Sequence, residues 1–341
     1  MKNLLINLWI FFFFFLNVSL SNDFAYITNQ LSNSVSVIDL ETYKVIKEIS
    51  VGSKPAGVAV QKNGEKIFIS NPESKEISVI DGLNLKNISN ISLGKGPLGI
   101  ALTKDDKYLL VADWYDNSVR VIDTKELKLI KKILVGKSPA GIDTNNDNTF
   151  FYVANRDDNT VSVVNIKNFK VEKVLKAGQR PFAVTLSPDN KFLYVANVKS
   201  SDLSIFSTKD YKKIKTIKVG KSPYAIAFSN DGAKAYVTNQ HENTISIIDT
   251  KNKKNVKTLN VGEYPEGINF YKKRKEILVV NWFDSEVYIL DSKNLNIIKE
   301  ISVGEGPRGF GNFIGPNLVK YYQRKKFHNF FRETPLKLAL E

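Results

Sequence analysis

Cysteine is absent from this 341-residue chain and histidine occurs only twice. The first absence excludes disulfides, thiolate metal sites, a cysteine nucleophile, covalently attached c-type haem and a lipidated N-terminal cysteine. The second leaves His241 alone in the body of the chain, since His328 lies near the C-terminus. A metal needs several nitrogen or carboxylate ligands converging, so no metal ligand is assigned and His241 reads as an exposed loop residue. Catalytic signatures are missing too: there is no G-x-S-x-G elbow, H-E-x-x-H pair or P-loop. GKGPLG (94–99) and GEGPRG (304–309) do match G-x-G-x-x-G. A dinucleotide fingerprint must open a helix whose amides hold pyrophosphate. Here each match contains a proline without an N–H and leads into an apolar strand, so both are turns.

The composition, 43% hydrophobic and 25% charged, suits a globular chain with a sizeable core. Net charge is +14, which would attract anionic partners. The lysines nevertheless recur along the whole chain, as solvated turn residues do. The N-terminus, MKNLLINLWIFFFFFLNVSLSN, has one lysine, an apolar stretch over 4–16 and small residues at Ser19 and Ser21. That is the layout of a secretory signal peptide over residues 1–21, short for a membrane span. It predicts a periplasmic or secreted mature protein, with an uncleaved anchor as the lesser alternative.

Self-similarity decides the architecture. Glycine stands at 52, 94, 136, 178, 220, 262 and 304, always 42 residues apart, and a proline follows three residues after each. Asn29, Asn71, Asp113, Asn155, Asn197, Asn239 and Asn281 share the period. Within one copy, Gly-x-x-Pro is a turn, credited to glycine's tolerance of positive φ and proline's fixed φ. YAIAF (224–228) is then a first strand, SNDG a tight turn, and KAYVTN, TISIID and NVKTLNV three further strands. The middle strands lack clean alternation, as expected when both sheet faces are covered. Four strands in 42 residues make a propeller blade. Residues 23–51 supply three strands lacking a first, and 304–314 supply a first strand lacking successors. Joined, they complete an all-β, seven-bladed propeller spanning 22–314, ahead of a basic tail at 315–341.

YVTN (236–239), with YITN (26–29) and YVAN (152–155, 194–197), followed by VSVID and VGxxPxGIA, resembles the YVTN-type β-propeller repeat family. That resemblance covers nearly the whole mature chain and implies the fold. Its relatives include surface and binding proteins, nucleic-acid-binding proteins, lactonases and the d1-haem domain of nitrite reductase, so function has to be argued from a site.

In a propeller the first strand lines the channel, and the loops joining strands four to one and two to three share a face. Directly after each proline stand Ala56, Leu98, Ala140, Phe182, Tyr224, Glu266 and Arg308. The last four, in consecutive blades, predict a ligand-binding arc at the channel mouth. The residues after the repeat Asn add Trp114, Arg156 and Trp282, suited to a planar, sugar or cationic ligand. His241 and Arg180 are candidate rim contacts. Glu266 with an arginine would be the place for lactonase-like acid/base chemistry, but no catalytic motif supports an assignment. On the other face, Lys272, Lys273, Arg274 and Lys275 replace ordinary turn chemistry and, with the tail, form a candidate polyanion surface for nucleic acid or an anionic membrane. The sequence thus predicts a monomeric, cofactor-free binding or scaffold propeller. A lactonase-like hydrolase and a polyanion binder are the alternatives.

Overall fold

A computed structural model describes residues 23–319; the expected signal segment and all of the tail beyond residue 319 lie outside them. Seven antiparallel sheets stand around a central channel, six in register with the written repeats and the seventh joining the two ends of the chain. Blade 2 is representative, with strands Pro97–Leu102, Tyr108–Asp113, Ser118–Asp123 and Lys128–Leu134 running from channel to periphery. The second strand is covered on both faces because blades pack face to face. Between blades 2 and 3, for instance, Leu110, Val119 and Val121 meet Phe151, Val153 and Val164. Burying such branched side chains supplies about 25 cal/mol per Å² of apolar surface, so the core is a ring of inter-blade layers. The outer strands, by contrast, are mostly exposed.

The repeat glycine is required for a reason other than the expected one. Of the seven, only Gly94 has positive φ, at +66°. A Cβ at Gly136 or Gly178 would instead lie 2.6 Å from the side chain of Asn155 or Asn197. Those asparagines reach under the turn and accept the glycine N–H at 3.1 and 3.0 Å. Positive φ falls one residue before the proline, at Lys54, Ser138, Arg180, Ser222 and Tyr264. Four of these amides, at Lys54, Ser138, Arg180 and Tyr264, are held by an asparagine of the preceding blade (Asn33, Asn117, Asn159, Asn243). These asparagines therefore tie blade to blade.

Closure pairs the ends as expected, but with a correction to its detail. In blade 2 the ladder runs from Pro97 opposite Asp113 to Leu102 opposite Leu109, five residues along the inner strand. In blade 7 it runs from Pro307 opposite Asn29 to Ile314 opposite Ala25, seven residues along. Two extra residues must leave the ladder. Phe310–Asn312 swings out to pair in parallel with Gly57–Val60 of blade 1, and the closing strand proper is Ile314–Pro316. Gly311 permits the detour, at φ +112° and with Val58 O only 2.4 Å from where a Cβ would stand.

Candidate functional site

Each regular inner strand skips register after its proline, between Pro181 and Val184, Pro223 and Ile226, and Pro265 and Ile268. A bulge re-aims the residue it carries. Here it brings Phe182, Tyr224 and Glu266 together with Arg308, at the mouth formed by the four-to-one and two-to-three loops. They line a cavity of about 860 Å³ with Trp114, Arg156, Arg180, Lys199, Lys221, His241 and Tyr264. Phe182 and Tyr224 stack at 4.2 Å between ring centres. Trp114 lies 6.2 Å from Phe182 and carries the Arg156 guanidinium 5.4 Å above its own ring.

At the base of the cavity lies an ion pair. Arg308 Nε donates to Glu266 Oε2 at 2.6 Å, while its Nη2 donates to Glu266 Oε1 at 3.4 Å and to the Tyr224 hydroxyl. Gln240 Nε2 donates to Glu266 Oε1 at 3.0 Å. Burial pushes the Glu266 carboxyl up, opposed by Arg308 and Gln240. Burial alone would lower the Arg308 value, and the carboxylate outweighs it, so the guanidinium stays charged. Burial likewise raises the Tyr224 phenol, which remains protonated. With Nε and Nη2 engaged, Nη1 of Arg308 has no partner among the described residues.

The candidate residues divide accordingly. Trp114, Arg156, Arg180, Phe182, Tyr224, His241, Glu266 and Arg308 line one cavity; Trp282 does not. Its indole Nε1 donates to Gln30 at 3.3 Å and its ring backs Tyr264 at 6.2 Å, so it supports the wall from behind. His241 is exposed within a single 3₁₀ turn, edge-on to Tyr264 at 5.3 Å. Glu266, expected in the channel-mouth arc, is only 4% exposed. Sequence reasoning missed three contributors. Gln240 occupies the same repeat position as Trp114 and Arg156, and Tyr264 the residue before the repeat proline. Phe310 stands where the six other copies carry Ile or Val, and its ring meets Phe182 at 5.1 Å and Tyr224 at 5.5 Å. It closes the channel beneath the upper cavity.

The basic turn on the far face is not one uniform patch. Lys273 pairs with Asp23 at 2.7 Å, and Arg274 binds Glu276 at 2.9 Å and Leu40 O at 3.2 Å while covering the Tyr43 ring. These two residues clasp blade 6 to blade 7. Lys272 instead lines a second cavity, in the lower channel, and Lys275 takes the positive φ of the turn.

Fold and site together define a seven-bladed repeat propeller with a closed channel and a polar, aromatic cavity on one face. Residues 18–105 and 202–313, together more than half of the chain, match the family described as YNCE-like beta-propeller, and the chain belongs to it. Residues 84–172 and 114–213 also match the Lactonase, 7-bladed beta-propeller family. No curated protein matches the chain. Among solved structures, Kuenenia stuttgartiensis hydrazine synthase is similar at 20% identity and a TM-score of 0.74, over 80% of this chain and 92% of that one. A functionally unknown protein from Desulfotomaculum acetoxidans is similar at 16% identity and a TM-score of 0.76, over 85% of this chain and 98% of that one. Both likenesses concern the fold. Among the described residues no helix is long and apolar enough to cross a membrane.

Proposed function

We propose that this chain is an extracytoplasmic binding or scaffold propeller whose upper cavity takes a small anionic molecule with a flat apolar part. The location rests on the signal-like N-terminal sequence. The observation that carries the ligand reading is the clamp on Arg308. Glu266 and Tyr224 hold two of its three nitrogens and leave Nη1 to the cavity. A guanidinium fixed in advance loses little side-chain entropy on binding and favours planar oxyanions. Arg180, Lys199 and Lys221 add positive charge, and Phe182 with Trp114 supplies apolar faces for a ring.

Trp114 and Trp282 both lie at this face, so in the chain without residues 1–21, which carry Trp9, intrinsic fluorescence reports on it. Titration with a panel of aromatic carboxylates, sugar acids and sugar phosphates should give saturable quenching with at least one compound. Arg308→Ala should weaken that binding about tenfold or more, the loss of a charge-assisted contact. Silence across the panel, or affinity unchanged in Arg308→Ala, would sink the reading. The match to the lactonase family supports one rival on the same face. Against it, Glu266 is already engaged by Arg308 and Gln240, which leaves a poor general base. Turnover of lactones that is lost in Glu266→Gln would replace binding by hydrolysis.

A further inference from the structure

We infer that the lower half of the channel is a second binding site, for a small amphiphile with one anionic head and an apolar body. Phe310, packed against the stacked Phe182 and Tyr224, lines this space and not the upper cavity, and stands between the two; the lower space has a volume of about 640 Å³. That volume is typical of small-molecule sites. Its walls mix small and aliphatic side chains, such as Ala101, Ala227 and Ile226, with Phe228 and Phe270 and with the polar Thr185 and Asn269, so an apolar body entering it finds apolar wall on part of its surface.

The rim supplies the head-group chemistry. The seventh residue after the repeat proline is Lys62 in blade 1, Lys104 in blade 2 and Lys272 in blade 6, all three lining the cup. Blade 7, between blades 6 and 1, carries no lysine at this position, so the three lysines occupy one side of the rim with a gap at blade 7. The two carboxylates of the cup are already occupied. Asp106 accepts the Lys62 amide at 2.8 Å, and Asp143 accepts the Leu186 and Thr144 amides at 2.8 and 2.7 Å. Lys104 leans on Asp143 at 3.5 Å, whereas no carboxylate stands within 4 Å of the Lys62 or Lys272 ammonium among the described residues. Cationic side chains at the rim of a partly apolar cup match a carboxylate or sulfonate attached to a hydrocarbon or fused-ring body.

The test uses the mature protein with anilinonaphthalene sulfonate as fluorescent probe and decanoate as competitor. Wild type should enhance the dye saturably, and decanoate should displace the dye from the lower site. Ala227→Phe, which fills the cup, should abolish the enhancement with the thermal melt retained. The Lys62→Gln, Lys272→Gln double variant changes only exposed side chains and should raise the dye Kd about tenfold. Arg308→Ala, in the upper cavity, should leave the decanoate-displaceable dye binding unchanged, which separates this site from the one proposed above. No saturable enhancement in wild type would overturn the inference, as would dye affinity unchanged in the lysine variant.

Discussion

At Glu266 and Arg308 two opposite charges sit almost out of water, and the balance of costs there is asymmetric. Desolvating both ions is expensive, and their mutual attraction repays it only while both are present. Glu266→Gln keeps the shape but leaves the guanidinium, 14% exposed, without its counter-charge. We expect a loss of about 3 kcal/mol in urea unfolding, the low end of the range for breaking a buried pair. A loss under about 1 kcal/mol would mean that solvent already screens the pair. Both residues were legible as members of a channel-mouth arc, since each follows its repeat proline. Their mutual pairing was not, because no spacing rule places residues 42 positions apart within 3 Å; the closure of the ring, with the bulge after Pro265, does that.

Within single blades, the repeat asparagine shows how one substitution forces another. Seven residues after it the usual partner is serine: Asn29, Asn71, Asn155, Asn197 and Asn239 donate to Ser36, Ser78, Ser162, Ser204 and Ser246 at 2.9–3.0 Å. Blade 2 swaps the pair for charges, with Asp113 against Arg120 at 3.0 Å. In blade 6 the serine has become Tyr288, and both side-chain polar atoms of Asn281 lack a partner. A double-mutant cycle checks the blade 2 exchange. Arg120→Ser alone should cost about 3 kcal/mol by stranding the buried Asp113 carboxylate. Adding Asp113→Asn should recover most of that loss, giving a coupling of about 1–3 kcal/mol. Strict additivity would mean that the two positions act independently. The period made these positions visible from sequence, and the exchange at 113 was visible too. That Arg120 answers it required the strand register, Asp113 opposite Ser118, to be known.

Across the whole molecule, acid should be the vulnerable side. The turns between third and fourth strands are held by aspartates such as Asp123, Asp249 and Asp291. Each lies below the ordinary carboxylate value of 3.8, mainly because the amide three residues on donates to it. A carboxyl depressed by folding contributes stability above its unfolded value, and that contribution is lost as pH falls through the folded one. Asp116, lowered by Lys132, adds to the same trend. The melting temperature should therefore decline as pH drops below about 4, each depressed carboxylate adding to the slope. A melting temperature that rises below pH 4 would contradict it.

The sequence by itself determined the fold class, the blade count, the strand order within a blade and the joining of the chain ends. These follow from a 42-residue period of turn residues and apolar runs, signals that are local in the chain and repeated seven times. Only the tertiary structure decided what fills the channel. Two residues in excess of the period, between Pro307 and Ile314, eject Phe310 from its strand and turn a channel into two cavities. Glycine at the turns was likewise visible, but its cause, an asparagine side chain pressed against it, lies 19 residues away along the chain. Contacts made across the ring depend on how seven sheets close, and a repeat specifies each sheet without specifying what its irregular last copy meets.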